Sequence, residues 1–465
     1  MRTAVCLLAA GLVGGVFFGP PAPAPAAQAD ARPYAVGPIH GATAGGLSCA
    51  ATSCHGGGRP GERFSEHSTW AADLTRNPPV PHDPHANAYR VLFNADSVRI
   101  AGHLGDTPAH LNDRCLACHA APGATPGAVS EGVGCAGCHG PEERWLTVHY
   151  LPEWKALSNR DKAGYGFVPT KNLVARTATC AGCHVGDATR DVDHDLIAAG
   201  HPRLNFEYTR FHHNEAYRKH WTDPAADRDH EVKAWAVGQV ASLRAAAELL
   251  RARAAKDGAW PEFAGQSCYA CHQSVGDRAP LGAGPGRGLG WPAWEVWYTA
   301  AAGPAFNLSP GHRADIDAKL TSLRAVMNNA NPKRADAKDR AEKLVASLDR
   351  WLATVQDAQD ANQLAVPTGL AGNVAAELAR ASASAPDWDT LAQQYLGCAA
   401  VYHAAGGRDA RPEWTAPLVQ IRDGLRFPRE TGSRWDSPRG FDADRLKRVR
   451  ESFGGLLGGN PGGGR

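Results

Sequence analysis

The stretch that decides the architecture of this chain runs from Arg114 to Tyr150 and contains the segments RCLACHA, GVGCAGCHG and PEERWLTVHY. It holds two C-x-x-C-H units, Cys115 to His119 and Cys135 to His139. Two thiols at this spacing can add to the two vinyl groups of one haem, and the His beside the second thiol can bind the iron. The pattern therefore predicts covalently attached c-type haems.

The same unit recurs at Cys180 to His184 and at Cys268 to His272, and a looser unit with two extra residues between its thiols lies at Cys49 to His55. With 12 Cys and 20 His in 465 residues, roughly 0.01 C-x-x-C-H matches are expected by chance, whereas four are present. The sequence therefore predicts five haems. Their predicted attachment residues are Cys49, Cys54, Cys115, Cys118, Cys135, Cys138, Cys180, Cys183, Cys268 and Cys271, and their predicted proximal iron ligands are His55, His119, His139, His184 and His272.

Zinc ribbons, thioredoxin-like redox pairs and disulfides are the alternative explanations for paired cysteines. Zinc sites need C-x-x-C pairs but no adjoining His. A disulfide framework is typical of short secreted chains rather than of a chain this long. None of the three explains why each pair ends in Cys-His, and haem is therefore favoured.

The composition allows two or three domains and argues against a nucleic-acid partner. Hydrophobic residues make up 43% of the chain and charged residues 21%, and the formal net charge is +2. There is no basic tract and no alternating aromatic pattern of the kind that binds nucleic acid. Because much of the apolar share is Ala, which fills little volume, we expect haem macrocycles to supply core bulk in the Cys-rich half.

The N-terminus has the pattern of an export signal. An apolar run from Ala4 to Phe18 precedes the A-x-A site Ala27-Gln28-Ala29, which predicts a signal peptide over residues 1–29. No later window is long and apolar enough for a membrane span. Covalent haem attachment takes place outside the bacterial inner membrane, so we expect a periplasmic protein whose mature chain has no transmembrane span.

The expected fold is mainly α, with a multihaem cytochrome c core that has little regular sheet and a C-terminal helical domain after it. We expect a flexible lead-in at 30–48, the cytochrome domain at 49–276, a Gly/Pro-rich linker at 277–292, the helical domain at 293–453 and a Gly-rich disordered tail at 454–465. The spacing of apolar residues predicts helices at 231–256, 313–330, 335–356, 369–384, 388–405 and 440–455.

The second axial ligand of each iron is expected to be His. Only two Met occur, Met1 and Met327, whereas fifteen of the 20 His lie outside the five motifs, so bis-His ligation and low reduction potentials are predicted. The candidates are His85, behind Asp83-Pro84; His149, ten residues beyond His139; and His201, in a Gly-His-Pro turn; with His194 and His220 as partners for the fifth iron. The other isolated histidines, His40, His230, His312 and His403, are expected to be structural or solvated.

Two further features are assigned to packing. Cys398 lies in an apolar helix and is expected to be a buried, unreactive thiol. The aromatic cluster Trp291, Trp294, Trp297 and Tyr298 favours interdomain packing over a redox relay.

Together these residues resemble the cytochrome c-554 family of multihaem cytochromes, over about 50 to 200 of the chain. The shared elements are Cys49 to His55, H-A-x-A-Y-x-x-L at His85 to Leu92, Cys115 to His119, GVGCxxCHGP at Gly132 to Pro141, His149 and Cys180 to His184, and the segment Asp193 to Arg203 is similar to an extended pentahaem branch. The resemblance implies that His149 binds the first haem across from His55 and that His85 binds the third across from His139. It also implies an open sixth position on the iron at His119. The chain departs from the tetrahaem pattern in its first motif, its fifth haem and its C-terminal helices.

We therefore expect an electron-transfer protein, since five low-potential haems within about 230 residues form a chain of redox centres rather than one reactive pocket. The expected partners are redox proteins, such as other cytochromes or a membrane quinol-linked complex. The alternative is a multihaem oxidoreductase that acts on a small nitrogen or sulfur species at an open haem, although the sequence has no C-x-x-C-K motif. A structural or sensory subunit is a third interpretation, and no catalytic residue is assigned.

Overall fold

The structure is a computed structural model of the chain. It describes residue 33 and residues 41–57, 64–73, 80–81, 83–105, 107–213, 220–221, 229–268, 293–426 and 443–457. The predicted signal peptide and the predicted linker lie outside the described residues, as do His40, Cys271, His272 and Trp291.

The described residues are mainly helical, as predicted, and their helices before the predicted linker are short apart from one. They are α1 (Glu66–Trp70), α2 (Ala95–Leu104), α3 (Asp113–His119), α4 (Cys135–His139), α5 (Pro152–Ala156), α6 (Asn159–Gly164), α7 (Leu173–His184), α8 (His194–Ala198), α9 (Tyr208–His212) and the long α10 (His230–Ala255). The connecting 3-10 helices are Gly46–Cys49, Pro84–Asn87, Arg90–Phe93, Ala109–Leu111, Val129–Glu131, Glu142–Arg144 and Phe263–Gly265. Two short strands, β1 (Ala72–Asp73) and β2 (Val80–Pro81), pair antiparallel with Ala72 opposite Pro81.

After the predicted linker, six of the described helices have 12 to 27 residues and three have four. They are α11 (Val296–Thr299), α12 (Ala302–Ala305), α13 (Arg313–Met327), α14 (Arg334–Asp360), α15 (Leu370–Ser382), α16 (Trp388–Ala404), α17 (Gly407–Ala410), α18 (Pro412–Leu425) and α19 (Ala443–Gly454), with 3-10 helices at Phe306–Leu308 and Pro310–His312. In α14 the side chains at Leu344, Leu348, Trp351 and Val355 recur at helical spacing and are fully or almost fully buried.

Helix α10 lies in the centre of the hydrophobic core. Its Trp235, Val237, Val240 and Leu243 have no exposed surface, and the helix packs against both α7 and α14. A helix that is apolar on most of its circumference can only be stable when other elements cover it on several sides. Here α7 comes from the Cys-rich half and α14 from the C-terminal half.

Polar contacts also join the two halves of the chain. Trp297 donates from Nε1 to the Phe206 carbonyl oxygen (2.9 Å) and Tyr298 from its hydroxyl to that of Leu204 (2.8 Å). Arg244 on α10 donates from Nε to Asp349 on α14 (2.8 Å). The aromatic residues that follow the predicted linker are therefore packing residues between the halves, in line with their predicted role.

No helix among the described residues combines the length and the apolar character that a membrane crossing requires.

Candidate haem-binding centre

Three of the C-x-x-C-H motifs occupy the last turns of helices, and each helix ends at the motif His. These are α3, α4 and α7, which end at His119, His139 and His184. Residues three apart on a helix share one face, so both thiols of each motif project to the same side, with the His one residue further on. Asn112 and Asn172 begin two of these helices by accepting hydrogen bonds from Arg114 N and Val174 N. The local fold thus presents each motif as a single binding surface.

The looser first motif is compact in a different way. Cys49 ends a 3-10 helix, and the following turn brings the chain back so that Gly56 N donates to the Ala51 carbonyl oxygen (3.0 Å). A Cβ at Gly56 would lie 1.8 Å from the Ala50 carbonyl oxygen, so only glycine fits there. The two extra residues of this motif are therefore absorbed in a tight turn. In the fifth motif only Cys268 lies within the described residues.

Neighbouring motifs lie beside each other. The interaction between Cys49 and Cys135 shifts their pKa values in opposite directions, which places the first motif beside the third, and the interaction between Cys118 and Cys183 does the same for the second and fourth motifs. All four thiols are outside disulfides. Burial raises the pKa of Cys138 strongly, and the nearby Cys180 adds to this effect, which places the third motif beside the fourth. The four motifs therefore form one continuous series in the order first, third, fourth, second.

Five of the histidines predicted to bind iron use Nδ1 for contacts with the protein. His55 Nδ1 bonds to Glu66 (3.0 Å), His85 Nδ1 to Asp83 (2.9 Å) and His149 Nδ1 to the Leu146 carbonyl oxygen (2.7 Å). His119 Nδ1 and His201 Nδ1 bond to the carbonyl oxygens of Ala88 (2.7 Å) and Pro202 (2.8 Å). Since carboxylates and carbonyls only accept, Nδ1 carries the proton and the lone pair is on Nε2. This is the tautomer and the second-sphere bond that metal-binding histidines have.

Other histidines commit the opposite nitrogen. His212 Nε2 accepts from Arg176 (3.1 Å), His213 Nε2 bonds to Glu231 (2.7 Å) and His312 Nε2 bonds to the Thr354 hydroxyl (3.1 Å). Each would have to break this bond to bind a metal through Nε2. The structural role expected for His312 agrees with this geometry.

Three predicted proximal histidines each face a predicted distal one. The ring centres are 6.2 Å apart for His55 and His149, 6.0 Å for His85 and His184, and 6.4 Å for His139 and His220. An imidazole nitrogen binds a first-row metal at about 2.0 Å and lies about 1.1 Å from its ring centre, so two axial imidazoles on one iron have centres about 6.2 Å apart. Each ring plane would contain the line that joins the two coordinating nitrogens through the metal, so the angle between the two ring planes can take any value. The ring centres of His213 and His403 are also 6.2 Å apart. This pair is not a candidate ligand pair, because His213 Nε2 already bonds to Glu231.

The second motif has its own imidazole partner. Burial lowers the pKa of His201, and the nearby His119 and Arg114 lower it further, so the two histidines lie within electrostatic reach. An ion pair between Arg114 and Asp193 (2.5 Å) brings the segment that leads to His201 against α3. The position that the resemblance leaves open at His119 therefore has a candidate ligand beside it.

These pairs differ from two expectations. The resemblance implies that His85 faces His139, but His85 faces His184. His220 is expected as a partner for the fifth iron, but it faces His139. Both pairings depend on contacts between segments that are far apart in the chain. The positions of these histidines in the sequence do not indicate such contacts. His194 donates its backbone N–H to Glu262 (2.9 Å) and packs against Phe263 (6.1 Å), just before Cys268. It keeps its place as the candidate for the fifth iron.

Burial keeps most of these imidazoles neutral at pH 7. It lowers the pKa of His139 and of His184 to about 4. It also lowers the pKa of three others, His119, His201 and His220. His85 is the exception, because the bond and the charge of Asp83 outweigh the effect of burial and raise its pKa. The neutral imidazole is the form that binds a metal.

Carboxylates that sequence reasoning missed fix the segment before the first motif. Glu142 accepts from Ala44 N (2.7 Å), Glu143 from Ala42 N (3.2 Å), and Glu131 from Gly46 N. These three carboxylates therefore tie residues 42–46 to the third motif. For Glu142 and Glu143, a local signal is the phrase GPEE directly after Cys-His at 138–139.

Several buried polar atoms near the third motif have no hydrogen-bond partner among the described residues. They are His139 Nδ1, Glu142 Oε2, Trp145 Nε1 and His220 Nδ1. Native proteins rarely leave such atoms unsatisfied unless a ligand or water completes them. No group of three or more His, Cys, Asp or Glu in the described part of the chain could hold a metal ion alone. A haem iron needs only two protein ligands, so the donors present fit haem rather than a bare ion.

No protein-family profile, no curated protein and no solved structure matches this chain.

Proposed function

We propose that this chain is a multihaem c-type cytochrome that transfers electrons, as its resemblance to the cytochrome c-554 family implies. The observation that carries the proposal is the continuous series of motifs, in which the thiols of one motif lie close enough to those of the next to shift their pKa values. Haem supplies one-electron redox chemistry when bound. The chain supplies the attachment thiols, the axial imidazoles and a buried surrounding.

The residue roles follow from the pairs described above. We assign His55 with His149, His119 with His201, His139 with His220, and His184 with His85 as axial pairs. For the fifth motif we assign His272 with His194. Every predicted distal ligand is thereby used once. The bonds at Nδ1 of five of these histidines fix the ring orientation and raise the basicity of Nε2.

A series of centres is the arrangement that electron transfer needs. Catalysis at one centre needs instead a pocket with an open coordination position, whereas three of the four described motif histidines face a second imidazole ring and the fourth, His119, lies within electrostatic reach of His201. Among the described motif cysteines, Cys54 of the first motif is the exposed one, and the His55 side chain is 39% exposed. We assign this end to electron exchange with a partner.

The proposed setting follows from the sequence pattern. Export by the predicted signal peptide and covalent haem attachment agree on the periplasm. The proposed partners are redox proteins there, such as other cytochromes or a quinol-linked membrane complex. The alternative function, oxidation or reduction of a small nitrogen or sulfur species, requires one of the assigned distal histidines to leave its iron.

Mass and spin state together test the proposal. The mature chain, expressed with the cytochrome c maturation system, is expected to carry five haems by intact-mass measurement. Electron paramagnetic resonance of the oxidised protein is expected to show only low-spin signals. A chain that accumulates without haem, with its thiols in disulfides, would rule out the proposal, and a strong high-spin signal in the native protein would favour the oxidoreductase.

A further inference from the structure

Arg176 is a buried cation at the centre of a polar cluster on α7. Only 4% of its surface is exposed. Its Nε donates to the Thr170 carbonyl oxygen (2.7 Å), and its Nη1 donates to His212 Nε2 (3.1 Å) and lies 3.5 Å from the Tyr208 hydroxyl. Bonds from two different nitrogens of a planar guanidinium fix both its position and the orientation of its plane.

Trp221 lies over the face of this fixed guanidinium. The Arg176 Cζ atom is 4.2 Å from the centre of the Trp221 ring. Cation–π contacts of this kind are strongest where water is excluded. The ring of His212, which is itself bonded to Arg176, lies 6.0 Å from that of Trp221. Trp221 is thus held by two groups that α7 and α9 position.

His220 precedes Trp221 and lacks the anchor that other ligands have. Its Nδ1 is buried and has no hydrogen-bond partner among the described residues, whereas five other assigned ligands are oriented by a bond at Nδ1. Its ring instead contacts that of Trp221 edge-on, with centres 5.3 Å apart. On its other side it faces His139 at 6.4 Å.

We propose that Arg176 is a positioning residue for the axial ligand His220: its guanidinium fixes Trp221, and Trp221 holds the His220 imidazole across from His139. The inference rests on the proposed function, because it concerns the iron of the third motif. It also couples two motifs, since Arg176 lies one helical turn before Cys180 on α7. The helix that carries the fourth motif then also orients a ligand of the third.

The geometry makes distinct demands on each side chain. A lysine at 176 would keep the charge but could neither bond in two directions in one plane nor stack as a plane. Phenylalanine at 221 would keep an aromatic face for the cation, whereas alanine would remove it. Comparing these substitutions therefore separates the positioning role of Arg176 from the effect of its charge.

The test measures the spin state of the oxidised holoprotein by electron paramagnetic resonance, with the haem number from intact mass. His220→Ala is expected to replace one low-spin signal by a high-spin signal with five haems retained. Trp221→Ala, Arg176→Gln and Arg176→Lys are expected to change that same signal, wholly or in part, while Trp221→Phe keeps the native spectrum. Arg244→Gln is the control, because it removes a mostly buried arginine on the neighbouring helix α10 and its bond to Asp349 and should lower stability without changing any haem signal.

Several outcomes would overturn the inference. If Trp221→Ala and Arg176→Gln keep the native spectrum, Arg176 is structural only, and if Arg176→Lys alone keeps it, charge rather than plane matters. If His220→Ala keeps the native spectrum with five haems present, His220 is not a ligand and the inference is wrong while the proposed function stands. If the native chain carries no haem, the proposed function itself is wrong. Should Arg176→Gln fail to fold, the comparison of Trp221→Phe with Trp221→Ala decides.

Discussion

Five of the assigned ligands bond to the protein through Nδ1, whereas three other described histidines, His212, His213 and His312, bond through Nε2. His55, His85 and His149 bond through Nδ1 to acceptors close by, which leaves the lone pair on Nε2 for a metal. The two histidines His213 and His312 use Nε2 for Glu231 and Thr354. The difference is a matter of single hydrogen bonds, and it can be tested one residue at a time.

Replacing His149 by Ala should convert one low-spin iron to high-spin while the haem number stays at its native value. The thioether bonds persist, so only the sixth ligand is lost. Electron paramagnetic resonance and intact mass measure the two quantities. His312→Ala removes a histidine of opposite tautomer and is expected to leave the spectrum unchanged. An unaltered spectrum in His149→Ala would remove His149 from the ligand set.

Asp83 should influence the reduction potential of the iron that His85 is proposed to bind. Its Oδ1 accepts from both the backbone N and the Nδ1 of His85, each at 2.9 Å. A carboxylate on Nδ1 makes Nε2 more electron-rich and favours the oxidised iron. Asp83→Asn is therefore expected to raise one potential by an amount on the order of tens of millivolts in a spectroelectrochemical titration. Glu66→Gln, at the more exposed His55 pair, should give a smaller shift at another haem.

Glu295 should make the stability of the fold depend on pH. Burial raises its pKa from the ordinary 4.5 to about 7, against the opposing effect of Arg253 and Arg203. The folded chain then binds this proton more tightly than the unfolded chain, so stability is lost as pH rises from about 4.5 to about 7, by on the order of 3 kcal/mol. Glu295→Gln stays neutral, and its urea midpoint should exceed the native one at pH 8 far more than at pH 5. A pH-independent difference would contradict this assignment.

The proposed attachment residues rest on the spacing of thiols and imidazole within one motif, which is a local property of the sequence. The sequence could not predict which candidate distal histidine lies beside which motif. His85 and His184 are 6.0 Å apart in space but about a hundred residues apart in the chain, and that contact depends on how α7 packs. Asp83 was within reach of prediction, since it lies two residues before His85 in a helix-starting Asp-Pro.

At the scale of helices, hydrophobic spacing predicted most of the C-terminal half. The segments expected at 313–330, 335–356, 369–384, 388–405 and 440–455 correspond to α13, α14, α15, α16 and α19. Helix α18 was missed because it contains two prolines, Pro412 in its first turn and Pro417 inside it. A proline in the first turn costs little, and Pro417 still lies within the second turn, where few intrahelical bonds are lost. The segment around His85 forms two 3-10 helices, Pro84–Asn87 and Arg90–Phe93.

Close packing of α10 on α9 should make Gly238 intolerant of a side chain. A Cβ there would lie 2.6 Å from Tyr208 Cβ, so Gly238→Ala forces the helices apart and is expected to lower the free energy of unfolding by about 1–3 kcal/mol. Gly372 in α15 has nothing within 4 Å of the same position. Gly372→Ala should therefore stabilise, by up to about 1 kcal/mol through helix propensity. Denaturant unfolding of both variants measures the contrast, and equal effects would contradict it.

At the scale of the whole molecule, the two halves share one core. Trp235 and Leu243 of α10 belong to the same buried cluster as Leu348, Trp351 and Leu352 of α14. The change in composition at 277–292 is visible in the sequence. The packing of α10 on α14 is not, because the apolar face of a helix does not indicate which other helix covers it. The buried Cys398, whose pKa burial raises to about 12, lies in this core as expected.

The shared core leads to a prediction about the C-terminal helices. A chain that ends at Gly276 would expose the apolar surface of α10 and lose the ion pair between Arg244 and Asp349, so it is expected not to accumulate as soluble holoprotein. A chain that ends at Leu457 keeps every described residue and is the control; it should retain the native haem number and thermal midpoint. Size-exclusion chromatography with intact mass distinguishes the two. If the chain ending at Gly276 is instead soluble, carries the native haems and keeps their spectra, the C-terminal helices are a separable docking module and α10 is stable without them. A separable module is not expected, because Trp235, Val237, Val240 and Leu243 are all buried. Without the C-terminal helices, apolar surface of α10 would be exposed to water.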